Sequence, residues 1–226
     1  MTDVAAALKL QSWLSPAFPI GAFSYSHGLE PAIDAGVVHD RPSLVRWIET
    51  LLTSGSGRID ARHFVSAWRA APDPLAAAAI AEEASAWLPT AELAQEAELQ
   101  GDAFLKTVES AWPHPAIAPF QAALSNRPPL SVAAGYVSGV HGIALDLALP
   151  LYLQAFAANV ISAGVRLVPL GQTDGQRATA DLETAVLAAA ASARQDRGEA
   201  DYWTTTPAHD ISSMRHETQY ARIFRS

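Results

Sequence analysis

Apolar residues along this chain recur every three to four positions rather than every second one, and that spacing limits what the chain can fold into. Leu44, Trp47, Ile48, Leu51 and Leu52 follow the i, i+3, i+4, i+7, i+8 pattern that places side chains on one face of an α-helix. Leu145, Leu149, Tyr152, Phe156, Val160, Ala163 and Leu167 form a second stripe, over 145–167. Asp73-Pro74 is a helix start, because Asp caps free N–H groups and Pro suits the first turn. The helix it opens runs through an alanine-rich stretch to Trp87. Pro89-Thr90 restarts a helix to about Val108, and 174–192 reads as one further helix capped by Thr173 or Asp174. No run shows sustained alternation of β-branched residues, whereas Ala, the best helix former, is abundant. The expectation is an all-α fold without a sheet: a single globular, bundle-like domain of about ten helices over 1–226.

Composition narrows the function. The chain is 226 residues long and 50% hydrophobic, enough for one sizeable core, while charged residues make up only 17%. Surface that is poor in charge often meets a partner. The net charge is −8, and the lysines are Lys9 and Lys106 alone, so the clustered cations that nucleic-acid binding needs are missing. The count of cysteines is 0, which excludes disulfides, thiolate catalysis and cysteine-based metal sites. The first residues lack a cationic run before an apolar one, so no signal peptide is expected. The apolar stretch at 145–158 contains Gln154 and Pro150 and reads as too short to span a bilayer. A cytoplasmic protein without membrane contact is expected.

Catalytic patterns are missing as well. The 7 histidines form no HxH, HxxxH or HExxH spacing, so no compact metal site is encoded locally. They read as ordinary surface or interface histidines. Asp60 and His63 are one turn apart and could share a helix face. Ser24-Tyr25-Ser26-His27 has no GxSxG context. The Gly171–Gly175 turn lacks the Lys-Ser/Thr of a phosphate loop, and the carboxylates are scattered with no acidic pair isolated in an apolar context. No enzyme is expected.

Two segments stand apart. Ser15-Pro-Ala-Phe-Pro-Ile-Gly-Ala-Phe-Ser-Tyr-Ser-His-Gly-Leu-Glu30 alternates apolar side chains with prolines and small residues. It reads as an extended stretch in a groove between helices that enters a helix at Ser24 or Ser26. The segment 194–226 is polar and aromatic, lacks an apolar face before Ile211, and reads as mobile until it meets a partner. The stretch 112–129 carries five prolines and reads as a connector with at most one short helix.

Three segments resemble the UreF family of urease accessory proteins: the Ser15–Glu30 motif followed by Val37, Trp47 and Ile48; Val168-Pro-Leu-Gly-Gln-Thr-Asp-Gly-Gln-Arg177 with Leu182-Glu183; and the end of the chain, 210–226. They occur in the family's order, with Val137 and Gly139 between them. The resemblance implies an all-α accessory protein for nickel insertion into apo-urease, a homodimer that pairs with the UreD/UreH protein, bridges it to the GTPase UreG and modulates GTP hydrolysis. Nickel would be handled transiently by the complex, with no tight cofactor or metal ligand on this chain. The tail, 205–226, would bind UreD/UreH, which maps onto Met214, Arg215, His216, Glu217, Tyr220, Arg222 and Phe224. Tyr220 and Phe224, four apart, would anchor one helical face. Phe23, Ser26, Glu30, Arg166, Gln172, Asp174 and Gln176 are candidates for regulating the GTPase or lining a metal path, and the last three either cap a helix or line a solvated passage. The middle, 70–129, lends nothing specific. The alternative is a nickel carrier using His27, His63, His209 or His216.

Overall fold

The computed structural model describes residues 4–195 and 202–226. The described residues form twelve α-helices and no strand: α1 (Val4–Trp13), α2 (Leu29–Asp34), α3 (Arg41–Ser54), α4 (Ser56–Ala70), α5 (Pro74–Ala86), α6 (Ala91–Ala111), α7 (Ile117–Ala123), α8 (Leu130–Val140), α9 (Leu145–Leu167), α10 (Gln172–Asp181), α11 (Glu183–Arg194) and α12 (Pro207–His216). A 3-10 turn at Ala22–Ser24 precedes α2. The fold is all-α as expected, with a few more helices than the periodicity resolves. Only part of the 194–226 reading can be compared, since 196–201 lie outside the described residues.

Helices α4 and α8 form the centre, and α3, α5, α6, α9 and α11 pack around them. Their close approach depends on α8 presenting small residues. A Cβ on Gly135 would collide with the Phe64 carbonyl oxygen of α4, and one on Gly139 would stand 2.8 Å from the Trp68 carbonyl oxygen. Two glycines four apart let the helix backbones meet. The α3 stripe is buried as the spacing predicts, with Leu44, Ile48 and Leu52 at 0% exposure. Asp40 and Ser43 form a reciprocal capping box at its start, and Asp73 caps α5 through the N–H groups of Leu75 and Ala76. Thr90 caps α6 through Leu93.

Several expectations change. The 174–192 helix is two helices, and the first starts earlier, at Gln172, with no side-chain cap from Thr173 or Asp174. The break lies at Leu182, which is 1% exposed: turning the chain there lets Leu182 enter the core while α11 swings onto α3 and α4. Helix α9 is 23 residues and is long and apolar enough, by length and composition, to cross a bilayer, contrary to the reading of 145–158. Here it packs against α2, α3, α4, α8, α10 and α11, with Ala148, Leu149, Leu153, Ala157 and Ala163 at 0% exposure. The tail is folded. Its helix α12 lies on α2 and α6 and buries Ser212, Ser213 and His216 while Ile211 and Met214 face outward.

Candidate partner-binding site

The Pro-rich motif ends in a turn built from left-handed residues. Gly21 (φ 74°), His27 (φ 56°) and Gly28 (φ 73°) all have positive φ. Glycine reaches this region without a Cβ penalty; His27 does not, and it is held there by Nε2 at 2.8 Å from Ser56 Oγ and Nδ1 at 3.6 Å from Glu96. Gly28 is also where α12 comes in. A Cβ there would stand 3.2 Å from the Ser213 backbone, and Ser212 Oγ donates to the Gly28 carbonyl at 2.8 Å.

The turn delivers Ser26 and Glu30 to the tail, both buried. Glu30 accepts the backbone N–H groups of Ile223 (2.9 Å) and Phe224 (3.1 Å), and its Oε2 lies 3.2 Å from His216 Nε2. Glu92 of α6 faces the other ring nitrogen, Nδ1, at 2.6 Å and receives Arg222 at 2.8 Å. His216, 0% exposed, is thus engaged on both ring nitrogens by carboxylates from α2 and α6. Ser26 donates from Oγ, and from its backbone N–H at 2.7 Å, to the Ser226 backbone oxygen. Arg225 N–H donates to the Ser24 carbonyl at 2.8 Å, and Ser226 Oγ donates to Glu96 at 2.5 Å. Beside this clamp the Arg166 guanidinium lies between two rings, 3.8 Å from the Phe23 centroid and 4.2 Å from that of Phe224.

Residues expected on separate grounds are therefore brought together. Phe23, Ser26 and Glu30 from the first segment, Arg166 from just before the second, and His216, Arg222 and Phe224 from the third share one cluster. Met214, Arg215, Glu217 and Tyr220 lie on the outer side of the tail; Met214 is 50% exposed and Tyr220 fully so. Gln172, Asp174 and Gln176 are not part of the cluster. They sit in the first turns of α10, where Asp174 pairs with Arg177 at 3.1 Å and favours the positive helix end.

Some sequence expectations need correction. Tyr220 and Phe224 do not share a helical face, because α12 ends at His216 and the turns and bends beyond it carry Phe224 inward. His216 and His63 are not surface histidines: they are 0% and 1% exposed. The middle of the chain is not silent, since α6 supplies Glu92 and Glu96. They lie one turn apart, just after the Thr90 cap, and that i, i+4 pair was the available signal.

Near Glu96 lies a second buried polar group. Burial pushes the Asp60 carboxyl up to about 6, against the opposing charge of His27. Burial pushes His27 down, but the hydrogen bond and charge of Glu96, with Asp60 and Asp210, outweigh it and leave its pKa raised. Burial takes His63 down to about 4, and a backbone hydrogen bond at Ile59 opposes this. Asp60 and Glu96 come from different helices, and only the fold brings them to one cavity wall, where His27, Ser131 and Gln100 also lie. Among the described residues, no three His, Asp or Glu side chains are arranged to hold a metal ion.

A family model described as UreF matches residues 38–183. A urease accessory protein UreF of Rhodopseudomonas palustris is 47% identical over 224 residues, covering 98% of this chain and 92% of the relative. One from Granulibacter bethesdensis is 46% identical over 231 residues, covering 100% of this chain and 96% of the relative. One from Bradyrhizobium diazoefficiens is 43% identical over 226 residues, covering 99% and 93%. Similarity of that extent shows that the chain belongs to the UreF family.

Proposed function

We propose that this chain is a non-enzymatic co-chaperone for nickel insertion into apo-urease. It works in the cytoplasm as a homodimer, bridges the UreD/UreH partner to the GTPase UreG and modulates GTP hydrolysis, and nickel is handled by the assembled complex rather than held tightly here. The observation that carries this reading is the seating of the tail. Glu30, Glu92 and Ser26 hold its inner side while Met214, Arg215, Glu217 and Tyr220 face solvent. A rigidly held strip with exposed aromatic, thioether and charged groups is suited to protein recognition, because little ordering entropy remains to be lost on binding. The nickel-carrier reading has less support, since both His216 nitrogens are occupied by carboxylates.

The test is co-purification of the chain carrying Met214→Ala and Tyr220→Ala with the UreD/UreH partner and UreG. Both side chains are exposed, so the melting temperature stays within a degree or so of the parent, while affinity falls by roughly 1–3 kcal/mol per anchor residue. Unchanged affinity in the double variant would remove the tail from the interface.

A further inference from the structure

The clamp borders an internal cavity of about 120 Å³ that the tail does not fill. Its walls come from the end of α1, the Pro-rich motif, α6, α8 and α9, with Trp13, Phe18, Tyr25, Phe104 and Phe156 among them. Phe23, which also lines it, is 68% exposed, so the cavity reaches the surface beside the Arg166 stack. A cavity of comparable size, on the order of 150 Å³ and lined by apolar side chains, takes one benzene ring.

This cavity is not uniformly apolar. His27, Glu96 and Gln100 lie together on its lining. Gln100 is 5% exposed and donates to Glu96 Oε1 at 3.3 Å, with His27 Nδ1 3.6 Å from the same oxygen, while Oε2 receives Ser226. A carboxylate has about four acceptor sites, so Glu96 retains capacity for another donor. Trp13, also on the wall, is 2% exposed, and its indole N–H has no hydrogen-bond partner. Enclosed aromatic walls and a carboxylate able to accept define a chemistry: one flat ring carrying a hydroxyl whose O–H donates.

We propose that the cavity is a receptor for a single phenol ring, supplied either as a free small molecule or as a tyrosine side chain of a protein partner. The walls bury the ring, and the hydroxyl meets the Glu96 end. Because the Ser15–Phe23 motif forms part of the wall, ring binding holds that motif against α9 and α6.

The experiment titrates the purified full chain with p-cresol, which has the ring chemistry of both sources, and with toluene as the hydroxyl-free control. Saturable one-to-one binding is expected, with p-cresol about tenfold or more tighter than toluene, the difference made by a hydrogen bond to a charged group. Ala155→Leu and Ala158→Leu, two half-buried α9 positions on the cavity wall, add bulk to it. Each is expected to weaken p-cresol about tenfold or more while circular dichroism and melting stay near the parent. Two variants guard against one that misfolds. No saturable p-cresol binding by the parent chain, equal affinity for toluene, or p-cresol binding untouched in both folded variants overturns the proposal. Loss of co-purification with the accessory partners in a folded filled variant identifies the ring as a partner tyrosine; an intact complex with lost p-cresol binding identifies a free ligand. The Met214→Ala and Tyr220→Ala chain retains p-cresol binding, so failure of the tail assignment and failure of the cavity assignment are separable.

Discussion

Asp60 sits on α4 with its carboxyl turned towards His27 of the Pro-rich turn, and burial holds its pKa at about 6 against an ordinary 3.8. A raised carboxylate binds its proton more tightly in the folded than in the unfolded chain. Its favourable contribution is therefore present below the unfolded value and is lost as pH rises through about 6. Asp60→Asn keeps the shape without the charge. It is expected to raise stability at pH 7.5 by about 1–3 kcal/mol, with the gain vanishing below about pH 4, as measured by urea denaturation across pH. An equal effect at both pH values would show that the charge is not the cause. Which residues matter at this scale was only partly legible. Glu30, Arg222 and Phe224 stand out in the sequence because they lie in distinctive segments. Glu92 and Glu96 do not stand out, because an exposed helix face and a carboxylate clamp look alike in sequence: Glu near a helix start is ordinary helix chemistry, and only the arrival of His216 and Ser226 gives these two another role.

Among the elements, α8 and α12 show opposite degrees of legibility. Helix α8 is buried and apolar, and the reason for its two glycines is the facing α4 backbone, which local sequence does not disclose. Gly135→Ala is expected to cost about 1–3 kcal/mol or more, because a Cβ meets the Phe64 carbonyl oxygen, whereas Gly171→Ala, with open space around it and φ −81°, is expected to be near neutral in the same urea titration. Comparable losses at both sites would argue against a backbone contact at the α4–α8 seam. Helix α12 was hidden because its buried face is polar. Ser212 bonds the Gly28 carbonyl, Ser213 pairs with the Thr90 hydroxyl at 2.8 Å, and His216 bonds two carboxylates, so a search for an apolar stripe finds none. Buried polar groups persist when they are hydrogen-bonded, and these are.

On the scale of the whole molecule, the chain closes on itself. The last ten residues return to the turn near its start, and Ser226 is buried against Ser26 and Glu96. Deleting 217–226 removes the partners of Glu30 and Glu92 that lie beyond α12 and uncovers both carboxylates. The deletion is expected to lower stability by about 2–4 kcal/mol and to abolish capture of the UreD/UreH partner, while the helical circular-dichroism signal at room temperature stays near the parent, because the segment adds no helix. An undiminished melting temperature would mean that the clamp contributes nothing to the fold. The sequence by itself determined the all-α class, the positions of α3, α5, α6 and α9, the cap at Asp73, and the family, because periodicity, capping and short motifs are encoded within a few residues of one another. Tertiary structure alone decided that the first and last segments share one cluster with Arg166 of α9, that the tail folds inward and that α6 holds it. Those outcomes depend on contacts between residues more than a hundred positions apart, such as Glu92 with Arg222 and Ser26 with Ser226, and no local pattern carries them.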